Sequence, residues 1–268
     1  MNPLATLLVD LKAETDDVCA VLGDLEPSQW ELPSTAAGWS IRDQVSHLAY
    51  FDDAAVAAAT DPDRFKTIAA GLWALGPNFP DIVADNYRDM TPAALTVWFR
   101  DARERLLATF GSLDGSQRVP WFGPDMSVTS SATARFMETW AHGLDIAETF
   151  GAAPAYSPRL KHIAHLGVRT RGFSFALREL PVPETDVRVE LSTPDDELWT
   201  WGDPIAENWV RGSALDFCLV VTQRRHRSDT DLVATGPVAG AWLDIAQAFA
   251  GAPGAGRMPI ASRTEETA

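Results

Sequence analysis

The first 150 residues repeat apolar side chains at helical spacing. Between residues 4 and 22, Leu4, Leu7, Leu8, Leu11, Val18 and Val21 recur close to every 3.6 residues, which places them on one helical face. Glu26-Pro27-Ser28 breaks that pattern, and Pro33-Ser34-Thr35 with Gly38 reads as a loop. A second helix is expected to be capped by Ser40, with Asp43 in its first turn and Ile41, Val45 and Leu48 on one face. It should run to about Ala59 and end at Asp61-Pro62. A third helical stretch covers roughly 65–75, before Gly76-Pro77-Asn78. A fourth begins at Thr91-Pro92, where the threonine caps and the proline fits the first turn, and continues to Phe110. Residues 111–127, with Pro120 and Pro124, read as a loop. Ser130 or Ser131 then caps a helix that runs to Phe150 and stops at Gly151. Short loops between helices of this length predict an antiparallel bundle.

The pattern changes beyond Pro154. Residues 157–180 read as one more helix, closed by Pro181-Val182-Pro183. Val187-Arg188-Val189-Glu190-Leu191 alternates apolar and charged residues, the period of a half-buried strand. Leu198 to Trp201 and Trp209-Val210 suggest further strands. Residues 217–222 are rich in β-formers and fit either a strand or the end of a helix begun at Ser213. Residues 238–249 read as a closing helix, and the Gly/Pro-rich end as a loose tail. The domain expectation is therefore a helical bundle over 1–153, an α+β domain over 154–252 and a flexible tail over 253–268.

Composition narrows the function class. The chain has 268 residues, 46% of them hydrophobic and 22% charged, ordinary values for a globular protein. Its formal net charge of -15 argues against nucleic acid and against anionic lipid as partners, because both are polyanionic and no basic stripe compensates. Cys19 and Cys218 form no CxxC pair, which suits a reducing cytoplasm. No apolar run approaches a membrane span, and no signal peptide is expected from the first residues. HExxH, GxSxG, GxxxxGK[ST] and GxGxxG after a strand are all absent.

The candidate chemistry lies in Glu138-Thr139-Trp140-Ala141-His142. Four residues separate the carboxylate from the imidazole, so a helix aims both at one place. Along that helix Arg135, Glu138, His142, Asp145 and Thr149 form one polar stripe between apolar ones. It reads either as a solvated face or as the lining of an interior site. His47, on the second helix beside Phe51, is a third N/O donor of the kind that binds first-row metals, or else a packed core histidine. Asp52 falls near the middle of an apolar face, which is costly without a partner; it either orients a metal-bound imidazole or bonds a backbone amide. His162 and His165 share a face with Arg169 and read as surface residues. Gln223-Arg224-Arg225-His226-Arg227 is a basic cluster, either solvated or suited to gripping an anionic group. Most of the tryptophans read as core, with Trp121 and Trp140 the two expected near a cavity.

The stretch Gly38-Trp39-Ser40-Ile41-Arg42-Asp43-Gln44-Val45-Ser46-His47-Leu48, with Glu138-Thr139-Trp140-Ala141-His142-Gly143-Leu144-Asp145-Ile146-Ala147, resembles the DinB-like metal-binding four-helix bundles. Among these it is most similar to the mycothiol-dependent maleylpyruvate isomerase branch. The resemblance implies a mainly α, DinB-like four-helix bundle followed by a small α+β C-terminal domain. It implies a divalent metal, zinc above all, on His47, Glu138 and His142, with Trp140 near the bound cofactor. Mycothiol is the implied cosubstrate, and Arg224 or Arg225 is the implied holder of thiol or substrate. A free thiol has a pKa of about 8.5, and zinc coordination would make it a thiolate able to add to an electrophilic carbon. The expected function is thus a thiol-dependent isomerase or S-transferase acting on a small electrophile, as a cytoplasmic monomer or homodimer. Two alternatives stay open: a non-catalytic metal-binding or regulatory bundle, and a non-haem iron enzyme, since two histidines and one carboxylate also match that ligand set.

Overall fold

The computed structural model of the protein describes residues 2–263, which fall into two compact units dividing between Ala153 and Pro154. In the first unit α1 (Pro3–Gly23), α2 (Ile41–Thr60), α5 (Pro92–Gly111) and α6 (Val128–Thr149) form the four-helix bundle. Two shorter helices, α3 (Pro62–Trp73) and α4 (Phe79–Asp85), lie between α2 and α5. A two-residue ladder precedes α6, with β1 (Arg118–Val119) antiparallel to β2 (Met126–Ser127).

The caps explain where these helices begin. Ser40 and Asp43 form a reciprocal capping box at the start of α2, each satisfying a backbone N–H of the other. Asp61 closes α2 and also caps α3, accepting from the Arg64 amide at 3.2 Å, so the chain turns there without a linker. For α6 the cap is Ser127, which accepts from the Ser130 amide at 3.0 Å. The helix therefore starts before Ser130 and Ser131, the residues expected to cap it. Gly151 stops it in the left-handed region at φ 79°.

The core between α1, α2, α5 and α6 is apolar at Val18, Leu22, Ile41, Val45, Leu48, Leu95, Phe99 and Ile146. Through that core runs one ionic network. Asp52 on α2 is fully buried and takes Arg103 of α5 at 2.7 Å and Arg135 of α6 at 2.9 Å. Arg103 also donates to Thr139 Oγ1 of α6 at 2.9 Å and to Thr15 Oγ1 of α1, while Arg135 reaches the Leu48 carbonyl at 3.3 Å. All four bundle helices meet at this carboxylate. Asp52 thus has guanidinium partners, not the metal-orienting or backbone role the sequence suggests.

In the second unit the expected long helix is broken. A 3-10 turn at Pro158–Leu160 leads into α7 (Lys161–Arg169), and α8 (Arg171–Ala176) follows. Thr170 sits at the break, its hydroxyl bonded back to the Leu166 and Gly167 carbonyls. The sheet contains β3 (Val187–Ser192), β4 (Leu198–Trp201) and β5 (Asn208–Ser213). Next come α9 (Ala214–Val221), β6 (Val233–Thr235) and α10 (Pro237–Ile245). Strand order is β4-β3-β5-β6, with β3 and β5 parallel and the other pairs antiparallel. Residues 217–222 are helical despite their β-formers, because Ser213 caps α9 and the segment is buried. Of the stretch expected to be a tail, 264–268 lies outside the described residues. Its earlier part is tied down: Gly254 bonds Gln247 and Arg178, and Ile260 N donates to Asp229. No helix among the described residues is long and apolar enough to cross a membrane.

Asp52→Ala should destabilise the protein by about 3–5 kcal/mol, because it strands two buried guanidiniums. Urea denaturation would measure the loss, and a triple replacement of Asp52, Arg103 and Arg135 by apolar residues of similar volume should cost less.

Candidate metal centre

Helix α6 presents Glu138 and His142 one turn apart, and α2 brings His47 against them. His142 Nε2 lies 3.1 Å from Glu138 Oε2, and His47 Nε2 lies 3.6 Å from the same oxygen. The two imidazole centroids are 4.5 Å apart. One donor atom from each residue falls within 4.8 Å of the other two. Two imidazole nitrogens and one carboxylate oxygen are a donor set that divalent first-row cations accept, with coordination positions left over.

The surroundings fix the ring that matters. Gln44 Nε2 donates to Ser34 Oγ at 2.7 Å, which leaves Gln44 Oε1 to accept from His142 Nδ1. With a cation at the centre, that acceptor would keep the proton on Nδ1 and leave the Nε2 lone pair for the metal, the arrangement a metal-ligating histidine needs. His47 Nδ1 is buried with no hydrogen-bond partner. Trp39 lies nearly parallel to His142, 12° between planes and 5.7 Å between centroids, and tilts against His47 at 5.1 Å. Its indole N–H donates to Asp81 Oδ1 of α4 at 2.8 Å. Phe51, one turn along α2, flanks His47 at 4.5 Å. Beside the site α1 comes close to α6: a Cβ on Gly143 would stand 2.6 Å from Val18 Cγ2.

Electrostatics follow from burial and neighbours. Burial pushes the His47 imidazole down to about 4, aided by His142 and Arg135 and opposed by Glu138. For Glu138, burial alone would raise the carboxyl, but hydrogen bonds from His142 and His47 outweigh it and hold the group well below the usual carboxylate range.

Residues 11–147 match the family model described as the mycothiol maleylpyruvate isomerase N-terminal domain. The chain belongs to that family. Proteins from two strains of Mycobacterium tuberculosis, both described as uncharacterized, are 43% identical to it over 250 residues, covering 93% of this chain and 97% of theirs. Among solved structures, the mycothiol-dependent maleylpyruvate isomerase matches with a TM-score of 0.59, and a histidine-to-alanine mutant of it with 0.60. Each is 16% identical and covers 86% of this chain and 92% of its own, a likeness that speaks for the DinB-like fold.

The structure brings together His47, Glu138 and His142, the three residues singled out from sequence. The polar stripe on α6 is an interior one: Arg135, His142 and Asp145 are buried. Asp145 Oδ1 accepts from Thr35 Oγ1 at 3.1 Å, tying the loop before α2 to α6. Trp140 is a buried core residue of α6, whereas the rings against the imidazoles belong to Trp39 and Phe51. Trp121 packs at 6.4 Å from Phe51. Arg224 and Arg225 belong to the second unit, just after α9, where both backbone amides donate to the Leu219 carbonyl. His165 accepts from the Trp201 indole at 3.3 Å, and His226 caps a 3-10 turn.

Sequence reasoning gave no role to Gln44, Ser34 or Trp39. Gln44 sits three residues before His47 on α2, the spacing that shares a helical face, and this was the available signal. Trp39 and Ser34 belong to a loop whose path the sequence does not fix.

Acid should unfold the metal-free protein early. Unfolded His47 titrates near 6.5 and folded His47 near 4, so the unfolded chain binds more protons between those values. The stability contributed by the neutral ring is present above that window and is lost as pH falls through it, by on the order of a few kcal/mol. Thermal melts of metal-free protein across this range should show the decline, and His47→Asn should flatten it.

Proposed function

We propose that this protein is a metal-dependent enzyme using mycothiol as cosubstrate, an isomerase or S-transferase acting on a small electrophile. The observation carrying this reading is the convergence of His47 Nε2, His142 Nε2 and Glu138 Oε2, with His142 held in the ligating tautomer by Gln44. Family membership supports it, and so does the description of the solved neighbours as mycothiol-dependent isomerases.

His47, Glu138 and His142 would hold the cation, and zinc suits a set of borderline nitrogen and oxygen donors with an open fourth position. When bound, such a cation supplies a Lewis-acid position that brings a sulfhydryl from its free pKa of about 8.5 into the neutral range. The chain's own groups do the rest. Gln44 holds the Nδ1 proton of His142 and stops the ring from turning. Trp39 stacks on the His142 ring and tilts against His47, which limits how far either ring can turn. Glu138 contributes the negative charge that balances a divalent ion. Arg224 and Arg225 fall within the same proposal as guanidinium holders of thiol or substrate. In an isomerase the sulfur–carbon bond made to the electrophile breaks again and the thiol returns unchanged; in an S-transferase that bond stays in the product. A cytoplasmic location is proposed with it, in keeping with two buried free cysteines.

Elemental analysis with a mycothiol titration tests the proposal. Purified protein should carry a stoichiometric divalent metal, bind mycothiol and form adducts from an electrophile panel, and Glu138→Gln and His142→Ala should abolish all three. A wild-type protein without metal, or a His142→Ala variant that binds metal equally well, would overturn it. Iron in place of zinc would shift the reading to oxygen chemistry. Gln44→Leu should keep all three ligands yet lower metal affinity by about 10–100-fold, measured by chelator competition.

A further inference from the structure

Ring contacts run from the metal centre along one side of the bundle. His47 touches Phe51, and Phe51 meets Phe122 edge-on at 5.5 Å and Trp121 at 6.4 Å. Phe122 packs in turn on Phe65 and Phe79, each at 5.2 Å, and Trp121 stacks on Phe65 with 7° between planes. Phe51, Phe65 and Phe79 are fully enclosed, but Trp121 and Phe122 keep part of their surface exposed. This Trp-Phe pair comes from residues 120–125, the Pro-bounded loop between β1 and β2. Their inner sides complete the Phe51, Phe65 and Phe79 cluster, and what stays exposed lies within two ring contacts of the donors.

Charge points the same way. The cation whose field reaches His47 is Arg135, and Asp52 holds it together with Arg103. Arg88 is bound by Asp43 and Asp85, Arg105 by Asp53, and Arg42 by Glu31 and two backbone carbonyls. These guanidiniums are already engaged, as is that of Arg118 beside the loop, which donates to the Asp125 carbonyl, and the groups nearest the imidazoles are rings, Gln44 and the carboxylates of Glu138 and Asp145. Gripping a carboxylate takes a guanidinium fork with donors to spare, whereas a flat apolar group is held by aromatic faces and edges.

Resting on the thiol-dependent reading of the centre, we propose that its electrophile carries a flat apolar group, aryl or extended alkenyl, seated against the exposed sides of Trp121 and Phe122. The loop between β1 and β2 then sets specificity, and the donors on α2 and α6 face the reacting end.

Two ketones test this without any reaction. Benzylacetone and levulinate share the same methyl ketone and two-carbon arm and differ in ending on a phenyl ring or a carboxylate, and neither has the activated double bond to which a thiol adds in conjugate fashion. Calorimetry on metal-loaded and on metal-free protein should show benzylacetone binding at least about ten-fold more tightly in both. Phe122→Ala and Trp121→Ala should each weaken benzylacetone by about ten-fold and leave metal content unchanged. If levulinate binds as tightly, the proposal fails. It fails also if Phe122→Ala, melting as wild type does, binds benzylacetone undiminished. Should that variant not fold, Phe122→Leu keeps the bulk without the ring and decides by the same criterion. Loss of metal or mycothiol binding with the aryl preference intact would overturn the functional reading alone. Absence of the preference in protein that binds both would overturn only the specificity inference.

Discussion

The first unit is organised around one buried carboxylate. Asp52 receives guanidiniums from α5 and α6, and those guanidiniums reach on to α1, α6 and the backbone of α2. A buried charge is tolerated only when its partners surround it, so this network permits few relative placements of the four helices. Apolar packing of Ile41, Val45, Leu48, Leu95 and Phe99 is compatible with many sliding registers; the ionic network is not. Two formal positive charges face one negative, and the surplus is felt at His47.

That constraint prepares the site. His47 lies on α2 little more than one turn from Asp52, and Arg135 lies on α6 one turn before Glu138 and two before His142. The helix faces that carry the network also carry the donors, so register fixed at one level is fixed at the next. Gln44 and Trp39 complete the enclosure from the start of α2 and the loop before it. Asp81 of α4 holds the Trp39 indole in place. The result is three donor groups brought together before any ligand arrives, which lessens the reorganisation that binding costs.

Local signals made much of this legible in sequence. The capping box at Ser40, the Thr91-Pro92 start and the four-residue spacing of Glu138 and His142 depend on neighbours along the chain, and they stand as expected. Failures cluster where several local answers compete or where partners are distant. Ser127, Ser130 and Ser131 can all cap, and the amide geometry chooses the first. Phe217 to Val221 fits either a strand or the end of a helix begun at Ser213, and the Ser213 cap with burial selects the helix. Asp52 finds its partners 51 and 83 residues away, so no pattern in its own segment reveals them. The Trp39 contact is of that kind too, and it was the aromatic neighbour that spacing did not indicate.

The division of donors between two helices has a geometric consequence. Glu138 and His142 ride on the same rigid rod, and their separation is set by the helix pitch whatever the bundle does. Only the imidazole from α2 moves independently of that pair, so its distance from them follows the packing of one rod against the other. One residue of slip is about 1.5 Å, several times the tolerance of about 0.2 Å in a coordination bond. The distance across the three donors is therefore set by how α2 packs on α6 as well as by the three side chains themselves.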